Sequence, residues 1–268
     1  MTPSASKFPT RSPRPRPPDA SAPTAPRPAA ARLLLDAALA LLLAPCCAAC
    51  GASLDYPTRG SVCAACWAAI APIVPPLCAA CGDPLPSWRV LTPSPCDRCR
   101  RSPRPIRLAR AIGPYEGALR AIVHALKYGG RRSVAPALAA RLALAGRAVL
   151  DGADVLVPVP LHRSRQRRRG FNQAEEIARH LPLPAVRALA RVRATPSQTD
   201  LPAEARQANV RGAFRVARAA RLGGAVVVLV DDVSTTGATL DACARALLDG
   251  GAREVRALTA ARVVSRAP

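Results

Sequence analysis

Two sets of residues in this 268-residue chain have the types and spacing to do chemistry. In "VVVLVDDVSTTGATL", Val226 to Leu240, five apolar residues run into Asp231 and Asp232 and then into a turn of small hydroxylated residues around Gly237. Paired carboxylates suit hydroxyl donors or a divalent cation such as Mg²⁺. The turn behind them, Ser234, Thr235, Thr236, Gly237, Ala238 and Thr239, can wrap N–H groups and hydroxyls around a phosphate at the positive end of the next helix. Gly237 lets the backbone come close because no Cβ intervenes. The carboxylates would repel that phosphate, so they should face another part of the same ligand. A ribose 5-phosphate carrying further charge meets these conditions. Capping of a helix after a buried strand explains the hydroxyls but not both acids.

The second set is cysteine. Four CxxC pairs occur, Cys47/Cys50, Cys63/Cys66, Cys78/Cys81 and Cys96/Cys99, separated by 12, 11 and 14 residues. Each pair aims two thiolates at one point, and two pairs complete a tetrahedral sulfur set, so eight ligands make two structural Zn²⁺ sites with no open position for catalysis. A disulfide framework is the alternative, and evenly spaced CxxC pairs argue against it. Sequential and interleaved pairing are both open. Cys46 is a spare neighbour, and Cys243 falls on the apolar side of a helix as a small core residue. Reduced thiolates point to the cytoplasm.

These residues need positioning elements. Residues 1 to about 30 are rich in Pro, Ser and Arg and form a disordered tail. "ARLLLDAALALLLAPCC" imitates a secretion signal. Asp36 interrupts the run, Pro45 sits where a small residue is expected before Cys46, and the apolar stretch is too short to span a bilayer. It reads as a short amphipathic or buried helix with no membrane span. Further on, "EGALRAIVHALKY" sets Leu119, Ile122, Val123 and Leu126 on one helical face. "ADVLVPV" and "AVVVLV" are continuous apolar runs typical of strands covered on both faces. "FNQAEEIARHL" and "ATLDACARALLDGG" read as helices, with Asn172 and Glu175 as a capping box. Strands alternating with helices predict a parallel α/β sheet from Arg104 onward.

The net charge of +22 would ordinarily indicate a polyanion partner. Only Lys7 and Lys127 are lysines, however, and the other basic residues are arginines, a skew that coding bias can produce. Aromatics at 3% argue against a stacking platform for single strands. Lys127 keeps lysine where arginine is the default. Either a compact ammonium is needed there or the residue is a solvated helix end. Arg163, Arg165, Arg167, Arg168 and Arg169 crowd a loop after the first strand, as a complement to pyrophosphate or as a solvated run.

The acid pair and its TTGAT turn resemble the 5-phosphoribosyl-1-pyrophosphate (PRPP) signature of type I phosphoribosyltransferases. Together, "PVPLH…RGFNQA", "ALKYGGRR" and "TPSQTDLPAEARQANVRGAF" resemble the ComF family, with its ComFC-like and GntX-like members. Beyond the disordered tail over 1–30, which it does not cover, that resemblance implies an apolar helix plus double zinc ribbon over 31–103. It implies a phosphoribosyltransferase-like domain over 104–268, with a type I parallel-sheet fold. By position, Asp231 and Asp232 would hold the ribose hydroxyls with Mg²⁺ nearby, and Ser234 to Thr239 the 5-phosphate. Val159, Pro160, Leu161, His162 and Arg163 would lie at the pyrophosphate loop, with Lys127 also at the site. Residues 193–214 resemble the mobile lid, with Arg206 and Asn209 its most motif-like polar members. The family implies PRPP as partner and transfer of its phosphoribosyl group. It also implies a rival role: a non-catalytic accessory of DNA uptake that engages single-stranded DNA or competence proteins. The acceptor is not written in the sequence.

Overall fold

The computed structural model describes residues 30–86, 94–193, 212–217 and 222–264. The expected tail, apart from Ala30, and both lid residues, Arg206 and Asn209, lie outside those ranges.

Helix α1 (Ala30–Leu43) departs from the amphipathic or buried helix expected. Its buried residue is Asp36, whose Oδ1 accepts from the Thr58 N–H at 2.8 Å, while Leu34, Leu41, Leu42 and Leu43 are exposed. The helix is fastened through its carboxylate because the turn at Pro57–Arg59 offers it an unpaired amide. Among the described residues, no helix is long and apolar enough to cross a membrane.

Two similar cysteine modules follow. In each, a tight turn closes on its own first cysteine: Gly51 N–H donates to Cys47 O and Gly82 N–H to Cys78 O, both at 3.0 Å. In each, a short helix starts just after a later cysteine, α2 (Ala64–Ala68) after Cys63 and α3 (Asp97–Arg101) after Cys96. A Cβ on Gly82 would collide with the Ala109 carbonyl, so the second module lies directly against the sheet domain.

That domain continues as β1 (Ala109–Pro114), α4 (Gly117–Tyr128), α5 (Ala135–Ala145), α6 (Arg147–Leu150) and β2 (Val155–Pro158). Then come α7 (Arg163–Arg169), α8 (Gln173–Ala178), β3 (Leu189–Arg191), β4 (Phe214–Val216), β5 (Val226–Ser234), α9 (Ala238–Asp249) and β6 (Glu254–Arg262). Four strands form a parallel sheet in the order β1-β6-β5-β2, and β3 and β4 pair antiparallel beside it. The sheet is covered on both faces, as its unbroken valine runs require. Val228 and Val230 face α4, α5 and α8, whereas Val227 and Leu229 face α9 and the β3–β4 strand pair. The predicted face of α4 is the buried one: Leu119, Ile122, Val123 and Leu126.

Two elements of this domain also differ from expectation. Strand β5 runs four residues past Val230, because β6 is equally long and pairs with it through Asp231↔Thr259 and Ser234↔Arg262. The acids therefore lie within the strand. Neighbouring β2 stops opposite Val230, leaving that side of the acids open. The arginine run read as a loop is α7, opened by His162 as N-cap and ended by Gly170 in a left-handed conformation.

Candidate functional site

Asp231 and Asp232 occupy the carboxyl end of the sheet, where open α/β folds gather ligands. Successive residues of a strand point to opposite faces, and this splits the pair. Asp232 turns toward α4, where Lys127 Nζ lies 2.9 Å from its Oδ1, both side chains largely buried. Asp231 turns toward Arg191 and Cys243, on β3 and α9. Burial, together with the Asp232 charge, pushes the Asp231 carboxyl up to about 7. Burial alone would push the Lys127 ammonium down, but Asp232 holds it above the ordinary lysine value. Burial and the Arg165 charge push Arg191 down, while Asp231 pulls it the other way. Lys127 is thus ion-paired with Asp232, and its charge also acts on Asp231, ahead of that of Arg191 on the other face.

The turn that follows leads directly into α9. Gly237 is its N-cap, with φ +81°, and Thr236 Oγ1 accepts from the Ala238 N–H at 3.4 Å. Thr235, Thr236 and Thr239 are half-buried, whereas Ala238 and Ser234 are buried. The Ser234 hydroxyl has no partner among the described residues. Beneath the turn lies Arg104, whose Nε donates to Asp241 Oδ1 at 2.9 Å and whose terminal nitrogen donates to Gly237 O at 3.1 Å.

Across the open side of the acids runs the segment after β2. Val159 is buried, and its backbone is committed: its N–H donates to Val230 O at 2.9 Å and its O accepts from Asn172 Nδ2 at 3.0 Å. Asn172 also caps α8 by accepting from the Ala174 N–H, while Glu175, expected to complete the capping box, pairs with Arg187 at 2.8 Å. Pro160, Leu161, His162 and Arg163 line a cleft of about 540 Å³ whose far wall includes Arg187 and Arg191. His162 caps α7, its Nδ1 lying 2.8 Å from Ser164 Oγ. The fold therefore brings the acid pair, Lys127, the turn and the post-β2 segment to one end of the sheet.

Sequence reasoning missed Arg104 and Arg191. Both are arginines in a chain where that residue carries little signal.

The eight predicted cysteine ligands form two clusters, Cys47/Cys50/Cys63/Cys66 and Cys78/Cys81/Cys96/Cys99, which resolves the pairing as sequential. Sulfur separations are 3.9 Å for Cys47–Cys66, 3.8 Å for Cys50–Cys63 and 3.7 Å for Cys81–Cys96. A tetrahedron with Zn–S bonds of about 2.3 Å has edges of about 3.8 Å, whereas a disulfide needs about 2.05 Å. Amides point at the sulfurs: Cys63 N–H donates to Cys47 Sγ at 3.3 Å and Cys96 N–H to Cys78 Sγ at 3.2 Å. Burial opposes ionisation of Cys47 and Cys78, yet these donors bring them down to about 6 and about 7. Cys66 and Cys99 are pushed up by burial and by their sulfur neighbours, so a bound dication is what would allow all four sulfurs of each cluster to be thiolates. The donor sets fit zinc. Cys243 is fully buried in the core, as expected.

A double zinc ribbon set against a parallel sheet with a phosphoribosyltransferase-type acid pair and turn defines the class. Comparison with known families agrees: residues 38–100 match the double zinc ribbon domain and residues 166–267 the phosphoribosyl transferase domain. The DNA utilization protein YhgH of Salmonella typhimurium is 37% identical over 172 residues, covering 60% of this chain and 75% of that protein. Competence protein F of Haemophilus influenzae is 33% identical over 162 residues, covering 56% and 71%. Competence protein ComFC of Bacillus subtilis is 34% identical over 97 residues, covering 36% and 39%. The chain belongs to the ComF family.

Proposed function

We propose that the protein binds PRPP with Mg²⁺ at the carboxyl end of β5 and β2 and transfers its phosphoribosyl group to an acceptor. The reading rests on one observation above all. Two adjacent acids, one ion-paired with Lys127, stand just before a glycine-centred loop that opens a twelve-residue helix. Such a loop suits the 5-phosphate, and the carboxylates suit the ribose hydroxyls. Arg163 and Arg191 line the cleft where pyrophosphate would sit. Mg²⁺, carried on the pyrophosphate, would neutralise part of the leaving charge. Asp231 has carboxylate oxygen capacity to face it, its Oδ1 accepting from the Asp232 N–H at 2.8 Å.

In this reading positive charge builds on the ribose ring as the pyrophosphate bond breaks. The protein contributes alignment and charge compensation and needs no covalent nucleophile. Lys127 holds Asp232 in place. Thiolate zinc ligands survive best in a reducing compartment, which supports a cytoplasmic location.

Titration with PRPP and Mg²⁺ tests the site. Wild type should bind, and Asp231→Asn/Asp232→Asn should not, with zinc content unchanged. Equal affinity of the two would discard the site. Pyrophosphate release with a panel of bases and amines then tests transfer.

A second reading draws on the relatives' names, which speak of DNA utilization and competence, and on the net charge of +22. Here PRPP binding serves as a signal and the basic surface engages single-stranded DNA. It predicts binding without turnover, together with strongly salt-dependent DNA affinity.

A further inference from the structure

We infer that the second cysteine module fixes the shape of the phosphate loop, with Arg104 and Arg262 as the positioning residues that connect the two. This rests on the reading that the loop after the acid pair takes a phosphate, and it adds how that loop is held.

Two arms leave one cysteine cluster and end at opposite ends of one loop. The first starts at the Cys78/Cys81 turn. Cys81 O accepts from an Arg262 terminal nitrogen at 2.5 Å, and Asp83 Oδ1 accepts from Arg262 Nε at 2.6 Å. Both side chains of this ion pair are almost wholly buried, at 4% and 7% exposed. Arg262 is the last residue of β6 and stands in register with Ser234, the last residue of β5, where the loop begins. The Val263 N–H then donates to Ser234 O at 2.8 Å.

The second arm starts at α3, which carries Cys99. Just beyond that helix, Arg104 enters the sheet domain and holds Gly237 O and the Asp241 carboxylate. This pair is likewise buried, at 7% and 9% exposed. Gly237 is the far end of the loop, and Asp241 lies in the first turn of α9. A Cβ at Gly237 would overlap the Arg104 guanidinium, so Arg104 fills the space under the loop. Asp83 also accepts from Arg98 of α3 at 3.2 Å, which ties the two arms together.

The geometry exceeds what a domain contact needs. A buried guanidinium requires fixed acceptors, since leaving its partner charge unpaired costs several kcal/mol. Arg104 spends its fork on the far end of the loop, whereas Arg262 spends its fork on the second module and meets the near end through its backbone register with Ser234. Two buried polar atoms without partners among the described residues, Ser234 Oγ and one Arg262 nitrogen, also fall at this junction. The first module reaches elsewhere: Ser61 Oγ meets Ser133 Oγ at 3.0 Å, and Trp67 lies under Arg141 of α5 at 3.7 Å. It therefore serves as an internal control.

Coupling between sites is reciprocal. A loop held by the second cluster must in turn protect that cluster when an anion fills it. The first measurement uses the full zinc-loaded chain without ligand. Amide exchange at residues 235–240 should quicken by roughly fivefold or more in Arg104→Met and Asp83→Asn, with zinc content and α4 exchange unchanged. Arg104→Lys keeps the charge without the fork and serves if Arg104→Met fails to fold. Unchanged loop exchange in the folded variants overturns the inference. The second measurement follows zinc loss to a chelator by mass-spectrometric alkylation of each cysteine. PRPP with Mg²⁺, or inorganic phosphate alone, should slow labelling of Cys78, Cys81, Cys96 and Cys99 but not of Cys47, Cys50, Cys63 and Cys66. Binding with equal protection of both clusters overturns it. If neither anion binds, the proposed function falls, while the ligand-free exchange comparison still decides the brace.

Discussion

Lys127 Nζ lies 2.9 Å from Asp232 Oδ1 and carries the only lysine charge among the described residues. An ammonium is a compact point charge, and it fits behind a strand where a guanidinium fork would need more room. Removing it leaves a buried carboxylate unpaired. Lys127→Met should destabilise the protein by about 3 kcal/mol, with Lys127→Arg recovering part of the loss. Lys127→Met combined with Asp232→Asn should cost less than the two single changes added together. Urea unfolding at neutral pH checks the cycle. Additive single effects would mean that the pair contributes nothing as a pair.

The other acid makes a prediction about pH. Asp231 is pushed up to about 7 by burial and by the Asp232 charge, from an ordinary value of 3.8. Below about pH 4 it is protonated in both folded and unfolded chains. Between about pH 4 and 7 the unfolded chain releases the proton first, so this group lowers stability as pH rises, and the full penalty persists above that range. Asp231→Asn should abolish that component of the decline and be more stable than wild type at alkaline pH. If the ionised carboxylate holds the ligand, PRPP affinity should rise by up to about tenfold per pH unit and level off near neutrality. Calorimetric titration across that interval would detect it, and a flat profile in wild type would contradict the assignment.

Much of the sheet was legible because strands covered on both faces need unbroken apolar runs, and Val226–Val230 is one. The extension of β5 through Asp231 to Ser234 was not, since it depends on pairing with β6. Helix α7 was hidden because seven residues of Arg, Ser and Gln have no apolar period. Its boundaries come from the His162 cap and Gly170. Lys127 stood out because it runs against the chain's arginine bias. Arg104 and Arg191 disappeared into that same bias, and only the fold separates them from the others. Helix α1 misled for a different reason: its leucines are where a core would put them, but Asp36 makes the attachment.

The sequential pairing of the cysteines can be tested by counting metal. Cys50→Ser and Cys63→Ser belong to one cluster and should each lose the same single zinc, as should the two combined. Cys50→Ser with Cys99→Ser should lose both. Metal analysis after dialysis against a weak chelator checks this. Interleaved pairing would give the opposite ranking for combinations such as Cys50→Ser with Cys78→Ser, which should lose two zincs under the sequential arrangement.

Gly237 gives the most local test of how the loop is built. Its φ of +81° disfavours any residue with a side chain, and a Cβ there would also overlap Arg104. Gly152, with φ +62° and nothing near its added Cβ, carries the first penalty alone. Gly152→Ala should therefore cost about 1–2 kcal/mol from the left-handed backbone. Gly237→Ala should cost more, because the Arg104 pairs with Asp241 and Gly237 O must shift as well. Adding Arg104→Ala should worsen Gly152→Ala by its full independent cost, since those sites share no partner, but should worsen Gly237→Ala by much less. Urea unfolding of the five variants decides it. Equal increments in both backgrounds would show that Arg104 does not occupy the space under the loop.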